Sequence, residues 1–305
     1  MKHTVRHALM YVTLMSLAGL ATSAPSFAAD SGLPAKPQAQ SEASQSVQSK
    51  VEKQTADAAA DKRRKLFADA TAALAETKKA LKALENKKND AALKALAEVV
   101  GKLDLILARD PKLELTAVDT EVVTYDLLAN LDTIKAIIKE ANAYLNDGEI
   151  QKARPLVANL ASEIQYRTIH IPLATYPKAI KAIAPLIDAG KIDEAKAGLQ
   201  AALNTLVVTT DDVTPLPKLR AEHLLKQAQE LAEKKDRSKE ENETLAKHLQ
   251  AAREQLQMAE LLGYGKKKDY NPMYEQISEI EKKSASGKSG IGWFDKLKQQ
   301  LSDLF

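Results

Sequence analysis

The sequence predicts a mainly α-helical protein built from antiparallel helical hairpins or a bundle, with a minor small β element. Three observations support this fold class. Apolar residues recur at spacings of three and four over most of the chain, which is the period of an amphipathic helix. Turns of similar sequence that contain glycine separate several of these segments. Three short runs are instead rich in β-branched residues, which favour strands.

Residues 1–28 are typical of a secretory signal peptide. Lys2 and Arg6 give a positively charged beginning, and an uncharged apolar stretch follows it. Small residues then precede a predicted cleavage site between Ala28 and Ala29. An uncleaved membrane anchor is the alternative, but a spanning helix needs about 20 apolar residues and polar residues interrupt this run too early. We therefore expect an exported protein that resides in the periplasm.

Composition divides the rest of the chain into four predicted segments. Residues 29–53 are rich in Ala, Ser, Gln, Lys and Pro, and a segment with so few large apolar residues is predicted to be a disordered linker. A helical domain is predicted over residues 54–283. Residues 284–292, rich in Ser and Gly, are predicted to form a flexible linker to an amphipathic C-terminal helix over residues 293–305.

Helices are predicted in order along the domain. The first carries one apolar stripe from Leu66 to Leu84, and the second ends at Arg109 because the residue before Pro111 is pushed out of the helical conformation. Pro185 is predicted to kink a later helix. Further helices are predicted over residues 127–145, 151–165, 176–190, 195–206, 218–235, 238–262 and 273–282, the sixth of them beginning with a capping box of Ser238 and Glu241.

One turn sequence occurs twice, over residues 145–153 and 187–195. In each copy a helix is predicted to end on a glycine in the left-handed conformation, and an alanine follows where the next helix crosses closely. A weaker copy of the same turn sequence begins at Lys87. The intervals between the copies are unequal, which does not fit a solenoid of fixed period. The pattern therefore predicts repeated helical hairpins.

The β-branched runs cover residues 121–125, 166–171 and 206–210. They predict short strands that form one small sheet, with helix ends frayed by β-branched side chains as the alternative. The proline-rich stretch over residues 211–217 is predicted to be a rigid loop.

Composition and motifs exclude several kinds of chemistry. The chain has no cysteine, which rules out disulfides, thiolate catalysis and Cys-ligated metals. The histidines lack the spacing of a helix-borne metal pair, so we expect no metal site. A formal net charge of +3 on 305 residues gives no general attraction to nucleic acid. Nucleotide fingerprints and nucleophile motifs are also missing, so we expect no cofactor and no enzymatic activity.

Two features remain as candidate functional sites. His170, in the second β-branched run, is a candidate pH-sensitive group, although a satisfied histidine without a role is the simpler alternative. The C-terminal segment is predicted to dock on its own domain or on another copy, to bind a partner, or to lie on a membrane surface. Its candidate interaction residues share one helix face: Trp293, Phe294, Leu297, Leu301 and Phe305.

Short motifs in a fixed order give the chain a family resemblance. They are Val118-Asp119, Ile171-Pro172-Leu173 with Tyr176-Pro177, Gly190 to Ala195, Pro215-Leu216-Pro217 with Ala221, and Leu262-Gly263-Tyr264. Together they resemble the YfdX family of exported bacterial proteins. The resemblance covers residues 66–282 and leaves out the predicted linker before it and the amphipathic tail after it.

This resemblance implies a helix-rich periplasmic protein, often oligomeric, that is associated with acid and multidrug stress and binds small amphipathic compounds, antibiotics included. It supplies no catalytic residue. We therefore expect a non-catalytic stress-response protein that forms homo-oligomers and binds small amphipathic compounds or client proteins. One alternative is an envelope scaffold that acts through its C-terminal amphipathic helix by membrane-surface or protein contact. The other is a hydrolase with an unrecognised site.

Overall fold

The computed structural model describes residues 41–304, and the predicted fold class is confirmed: helices dominate, with one small sheet. The predicted signal peptide with its cleavage site at Ala28 and Ala29, the first part of the predicted linker, and Phe305 lie outside the described residues. The elements, in chain order, are α1 (Glu42–Ser46), α2 (Gln48–Arg64), α3 (Ala68–Glu85), α4 (Asn89–Arg109), β1 (Leu115–Tyr125), α5 (Leu131–Asn146), α6 (Ile150–Ala158), β2 (Glu163–Pro172), α7 (Tyr176–Lys181), α8 (Ala184–Asp188), α9 (Ile192–Leu203), β3 (Val207–Pro215), α10 (Leu216–Glu233), α11 (Lys239–Leu261), α12 (Lys267–Ser284) and α13 (Asp295–Leu304).

The three strands form an antiparallel sheet in the order β1-β2-β3. At its centre Thr168 of β2 pairs with Thr120 of β1 on one side and with Thr209 of β3 on the other. The predicted strands are confirmed and are longer than expected. The predicted loop over residues 211–217 is wrong, because β3 continues to Pro215 and α10 begins at the next residue. Asp212 pairs with Tyr166 of β2, and Asp211 lies at an irregularity of the register, so pairing on both sides of Asp211 continues the strand through a stretch whose aspartates disfavour it.

The first apolar core lies under the hairpin of α3 and α4, which packs against α7, α8 and α9. Leu84, Leu103, Ile180 and Leu199 are fully buried in it. The helix predicted over residues 176–190 is split into α7 and α8, because Pro185 at the start of α8 has no backbone N–H to continue the helical ladder.

The second core is formed by α10, α11, α12 and α13, together with Val47, which follows α1. The predicted capping box at the start of α11 is confirmed, with Glu241 N–H donating to the Ser238 hydroxyl and Ser238 N–H donating to the Glu241 carboxylate. Leu249, Leu256 and Ile277 are buried along this bundle.

The predicted linker over residues 29–53 is wrong in its described part, where α1 and the start of α2 stand. Val47 is buried in the second core, and Val51 packs with Ile164 and Tyr166 of β2 in a third, smaller cluster. Two valines hardly change the composition of a polar stretch, so composition did not predict that it would be ordered. Each of them, however, meets an apolar surface that distant parts of the chain supply.

The repeated turn is confirmed as one local structure. Gly148 and Gly190 have φ of +73° and +71°, the left-handed conformation in which an added side chain is strained. In both copies a backbone N–H just beyond the glycine reaches back by 2.8 Å to a carbonyl of the last helical turn, from Glu149 to Tyr144 and from Lys191 to Leu186.

The two copies of the turn differ in what covers them. Ile187 is buried in the first core, whereas the corresponding Leu145 is 46% exposed. The hairpin of α5 and α6 buries only Ile134, Ala141 and Ala153 on its helices and contacts α11 on one side. The helix predicted over residues 151–165 ends at residue 158, a four-residue connection follows, and β2 begins at Glu163.

The flexible linker predicted over residues 284–292 is held to the second core at two points. Gly290 N–H donates to the Ala232 carbonyl over 3.1 Å, and Arg237 Nη2 donates to the Lys288 carbonyl over 2.8 Å. These contacts place the following helix α13 on α10 and α12.

Candidate functional site

A cleft of about 440 Å³ lies between α1, the loop that joins β1 to α5, and the pair α10–α11. We call it the Arg220 cleft, after the side chain in its wall. Grooves of similar volume, about 470 Å³ each, run along α5 and along α10. The Arg220 cleft differs from these grooves because its wall holds a fully buried charged side chain. The lining residues that matter for its chemistry are Ser44, Leu127, Leu128, Arg220, Glu254 and Gln255.

Arg220 is 1% exposed and is held by residues from two other elements. Its Nη1 and Nη2 donate to the two carboxylate oxygens of Asp126 over 3.0 and 2.7 Å, a bidentate pair. Nη2 also donates to Gln48 Oε1 over 3.2 Å. The guanidinium therefore ties α10 to the end of β1 and to the start of α2. Its Nε is buried and has no hydrogen-bond partner among the described residues.

The side of the cleft formed by α11 carries a second buried polar group. Gln255 is 7% exposed, and its Nε2 donates to the Ser44 hydroxyl over 3.2 Å. Its Oε1 is buried without a hydrogen-bond partner in the described part of the chain. Each side of the cleft, on α10 and on α11, therefore holds one buried polar atom that no described protein group satisfies.

The rim of the cleft combines apolar and charged side chains. Leu128 is 47% exposed, although Leu127 beside it and Met258 on α11 are mostly covered. Lys135 Nζ lies 3.3 Å from Asp132 Oδ1 on the first turn of α5. An apolar surface with a few convergent polar groups is the usual lining of a small-molecule site.

Sequence reasoning did not single out Arg220, because a charged residue on a helix is by default exposed. A usable signal was present. Arg220 lies four residues after Leu216 and four before Leu224, and both leucines are buried. It therefore occupies the apolar face of α10, where a cation needs a buried partner. The partner, Asp126, lies 94 residues away in sequence and has no local signature.

His170 lies on β2 and does not line the cleft. Its Nε2 is 2.9 Å from Thr209 Oγ1, and that hydroxyl donates to Asp211 over 2.7 Å. Thr168 donates to the other oxygen of Asp211. Burial acts to raise the pKa of Asp211, but the two threonine hydrogen bonds and the charges of His170 and Lys62 lower it overall. The role of His170 as a pH-sensitive group stays a prediction.

The variant Asp211→Asn is expected to lose at most about 1 kcal/mol of stability at neutral pH, because the carboxylate is largely exposed and solvent screens its charge. A pKa lowered in the folded state means that the stabilisation is complete above the ordinary pKa of about 3.9 and is lost as pH falls through the folded-state pKa. Urea denaturation as a function of pH should therefore show the two proteins converging below about pH 4. An unchanged gap in acid would contradict the assignment, and Asp193→Asn, at a side chain 98% exposed, is the control.

Tyr264, from the last of the family-like motifs, joins the loop after α11 to the sheet. Its hydroxyl donates to Glu163 Oε2 over 2.7 Å and accepts the Ser162 N–H over 3.0 Å. Burial, with the nearby Glu163 carboxylate, raises the pKa of Tyr264. The loop is thus a structural junction between the helical bundle and β2.

Four of the five C-terminal candidate residues, those within the described range, dock on their own domain. Phe294, Leu297 and Leu301 are buried in the second core, and Trp293 packs against it at partial exposure. The predicted alternatives were docking on its own domain or another copy, binding to a partner, and lying on a membrane surface. The structure shows docking on its own domain. The apolar face of α13 is occupied by α10 and α12.

The described residues form neither a metal site nor a membrane span. Among residues 41–304, no three His, Asp or Glu side chains lie close enough together to hold a metal ion. Over the same residues, every helix is too short or too polar to cross a bilayer.

The fold and the cleft together define a mainly helical protein with a ligand-sized opening between its helical bundle and the end of its sheet. Residues 73–212 match the family model described as YfdX protein, so the predicted resemblance to that family is confirmed over this range. The match is shorter than the predicted span of residues 66–282.

A crystal structure of YfdX from Salmonella Typhi is also similar to this chain. It shows 15% sequence identity and covers 49% of this chain and 91% of that one, with a TM-score of 0.32. A score this low carries no structural argument. A comparison with curated proteins finds no match.

Proposed function

We propose that this chain is a non-catalytic periplasmic stress-response protein that binds small amphipathic compounds in the Arg220 cleft. The observation that carries the proposal is the composition of the cleft, in which exposed and half-covered leucines adjoin buried amide and guanidinium groups. An amphipathic compound places its apolar part on Leu127 and Leu128 and its polar part toward α11. The signal peptide predicted at residues 1–28 and the YfdX match support an exported location.

Binding without turnover fits the groups in the cleft. Arg220 is engaged by Asp126 and Gln48, so its charge is already satisfied and its position is fixed. Catalysis by an acid and a base needs two titratable groups within reach of the same reacting atoms. In the cleft the acid–base candidates are Asp132, which pairs with Lys135, and Glu254, which accepts a hydrogen bond from Gln250. These contacts suit holding a ligand better than transferring a proton.

The envelope scaffold is the less favoured alternative. A scaffold of this kind needs the apolar face of the C-terminal helix as its interaction surface. Phe294, Leu297 and Leu301 on that face are buried within the chain. Homo-oligomer formation and binding of client proteins stay predictions.

Binding can be tested with the mature protein and N-phenyl-1-naphthylamine, an uncharged amphipathic probe whose fluorescence rises in apolar surroundings. We expect saturable binding, and we expect Leu128→Asn to weaken it about fivefold to thirtyfold because a leucine contact contributes about 1–2 kcal/mol. Leu145→Asn is the matched control. Leu145 is 46% exposed, as against 47% for Leu128, but it lies at the opposite end of α5 from the cleft.

The two variants separate cleft binding from binding to any exposed leucine. Equal weakening by both would move the ligand site away from the cleft. Failure of the wild-type protein to bind this or any other amphipathic probe would overturn the proposed function.

A further inference from the structure

The charges of the Arg220 cleft do not balance. Arg220 is paired with Asp126, and Lys135 is paired with Asp132. Glu254 is the exception among the charged residues that line the cleft. It accepts a hydrogen bond from Gln250 Nε2 over 3.0 Å and forms no ion pair with any residue in the described range 41–304.

Glu254 stands where a ligand can reach it. It lies on α11, one turn after Gln250 and one turn before Met258, so the three side chains share a helix face. Glu254 lines both the Arg220 cleft and the neighbouring groove between α1 and α11, whose volume is about 490 Å³. It is partly exposed, whereas Gln255 beside it is buried.

The apolar part of the cleft lies across from this carboxylate, on the segment that leads into α5. Leu127, Leu128 and Leu131 come from that segment, and Met258 adds an apolar contact from α11. A molecule that spans the cleft therefore meets hydrocarbon at one end and an uncompensated negative charge at the other. An anionic head group would be repelled by Glu254, and it would find Arg220 already bound by Asp126 in a bidentate pair.

We propose that the Arg220 cleft selects cationic amphiphiles, with Glu254 as the residue that recognises the cation. This inference rests on the proposed function, because it names the chemical class of ligand for the same cleft. The ligand class is a small organic amine or quaternary ammonium compound with an apolar portion. Specificity then comes from the one carboxylate among the described residues of the cleft that the protein leaves without a countercharge.

The test compares three ligands with the same ten-carbon chain: decyltrimethylammonium, decyl maltoside and decyl sulfate. Each is titrated calorimetrically into the mature protein at low ionic strength and below its critical micelle concentration. We expect decyltrimethylammonium to bind most tightly and decyl sulfate most weakly. Glu254→Gln should weaken the cationic ligand about fivefold and leave the maltoside unchanged, because a partly exposed ion pair contributes up to about 1 kcal/mol.

Two further variants make the result specific. Glu243→Gln removes a carboxylate from the same helix outside the cleft, where it pairs with Lys239 over 3.9 Å, and should leave all three affinities unchanged. Lys135→Gln leaves Asp132 in the cleft without its cation and should strengthen cation binding about twofold to fivefold. Lys135 and Glu243 are exposed, so both variants are expected to fold.

The possible outcomes distinguish this inference from the proposed function. If the three ligands bind equally and Glu254→Gln changes none of them, charge selection is wrong and binding of amphipathic compounds stands. If decyl sulfate binds most tightly, the assignment of Glu254 is overturned. If none of the three ligands binds, both the inference and the proposed function fail.

Discussion

Replacing Asp126 with asparagine is expected to lower the free energy of unfolding by about 3 kcal/mol. The change leaves the Arg220 guanidinium, 1% exposed, without the carboxylate that neutralises it. Breaking a buried ion pair by removing one partner costs about 3–5 kcal/mol, because the remaining charge stays buried. We place the effect at the lower end since the Asp126 side chain is itself 28% exposed. Urea denaturation followed by far-ultraviolet circular dichroism measures it.

The double variant Asp126→Asn/Arg220→Met shows whether the loss comes from a stranded charge. It should be more stable than Asp126→Asn alone, because methionine removes the buried cation and keeps most of its apolar volume. Asp193→Asn breaks an exposed pair with Lys196 and is expected to change stability by less than about 0.5 kcal/mol. A loss for Asp126→Asn no greater than that of the control would show that Arg220 does not depend on this pair.

Replacing Phe294 with alanine is expected to destabilise the protein by about 3–5 kcal/mol. The phenyl ring is 1% exposed in the second core, and truncating a buried aromatic side chain loses its transfer free energy and leaves a cavity. Ile291, only three residues earlier, is 86% exposed, so Ile291→Ala should be nearly neutral. Thermal or urea unfolding of the two variants gives the comparison.

The same pair of variants decides between the roles considered for the C-terminal segment. A docked helix makes Phe294→Ala much more destabilising than Ile291→Ala. A tail that waits for a partner or a membrane would leave both variants close to wild type in the isolated protein. Cleavage by protease within residues 284–292 should also become faster in Phe294→Ala, because α13 is held by this core.

Much of the secondary structure was predictable from local patterns. The capping box at Ser238, the two left-handed glycines and the three β-branched runs each act within a few residues, and all are present in the structure. The wrong predictions lie where contacts with residues distant in sequence determine the secondary structure. Pairing with β2 continues β3 through Asp212, and Val47 and Val51 order a stretch whose composition is typical of a linker.

The candidate site was less predictable than the fold. Neither His170 nor the C-terminal residues take part in the cleft that we propose as the binding site. The cleft is assembled from segments more than 90 residues apart, as the contact of Arg220 with Asp126 shows. A charged residue on an apolar helix face could have drawn attention to Arg220, but nothing local to Glu254 distinguishes it from the other carboxylates of α11.

The sequence by itself determined the fold class of this protein: helical hairpins closed by left-handed glycines, with three short strands in one small sheet. The helix ends and the positions of the strands follow from residue preferences within a few positions, which the order of residues specifies directly. Only the tertiary structure decided which charges are buried, which face of α13 is covered, and which carboxylate among the described residues of the cleft has no countercharge. Those properties depend on what packs opposite each side chain. The two copies of the repeated turn are an example, because equivalent residues in them differ in burial. Ile187 is covered and Leu145 is exposed, because a helical hairpin packs over the first and not over the second.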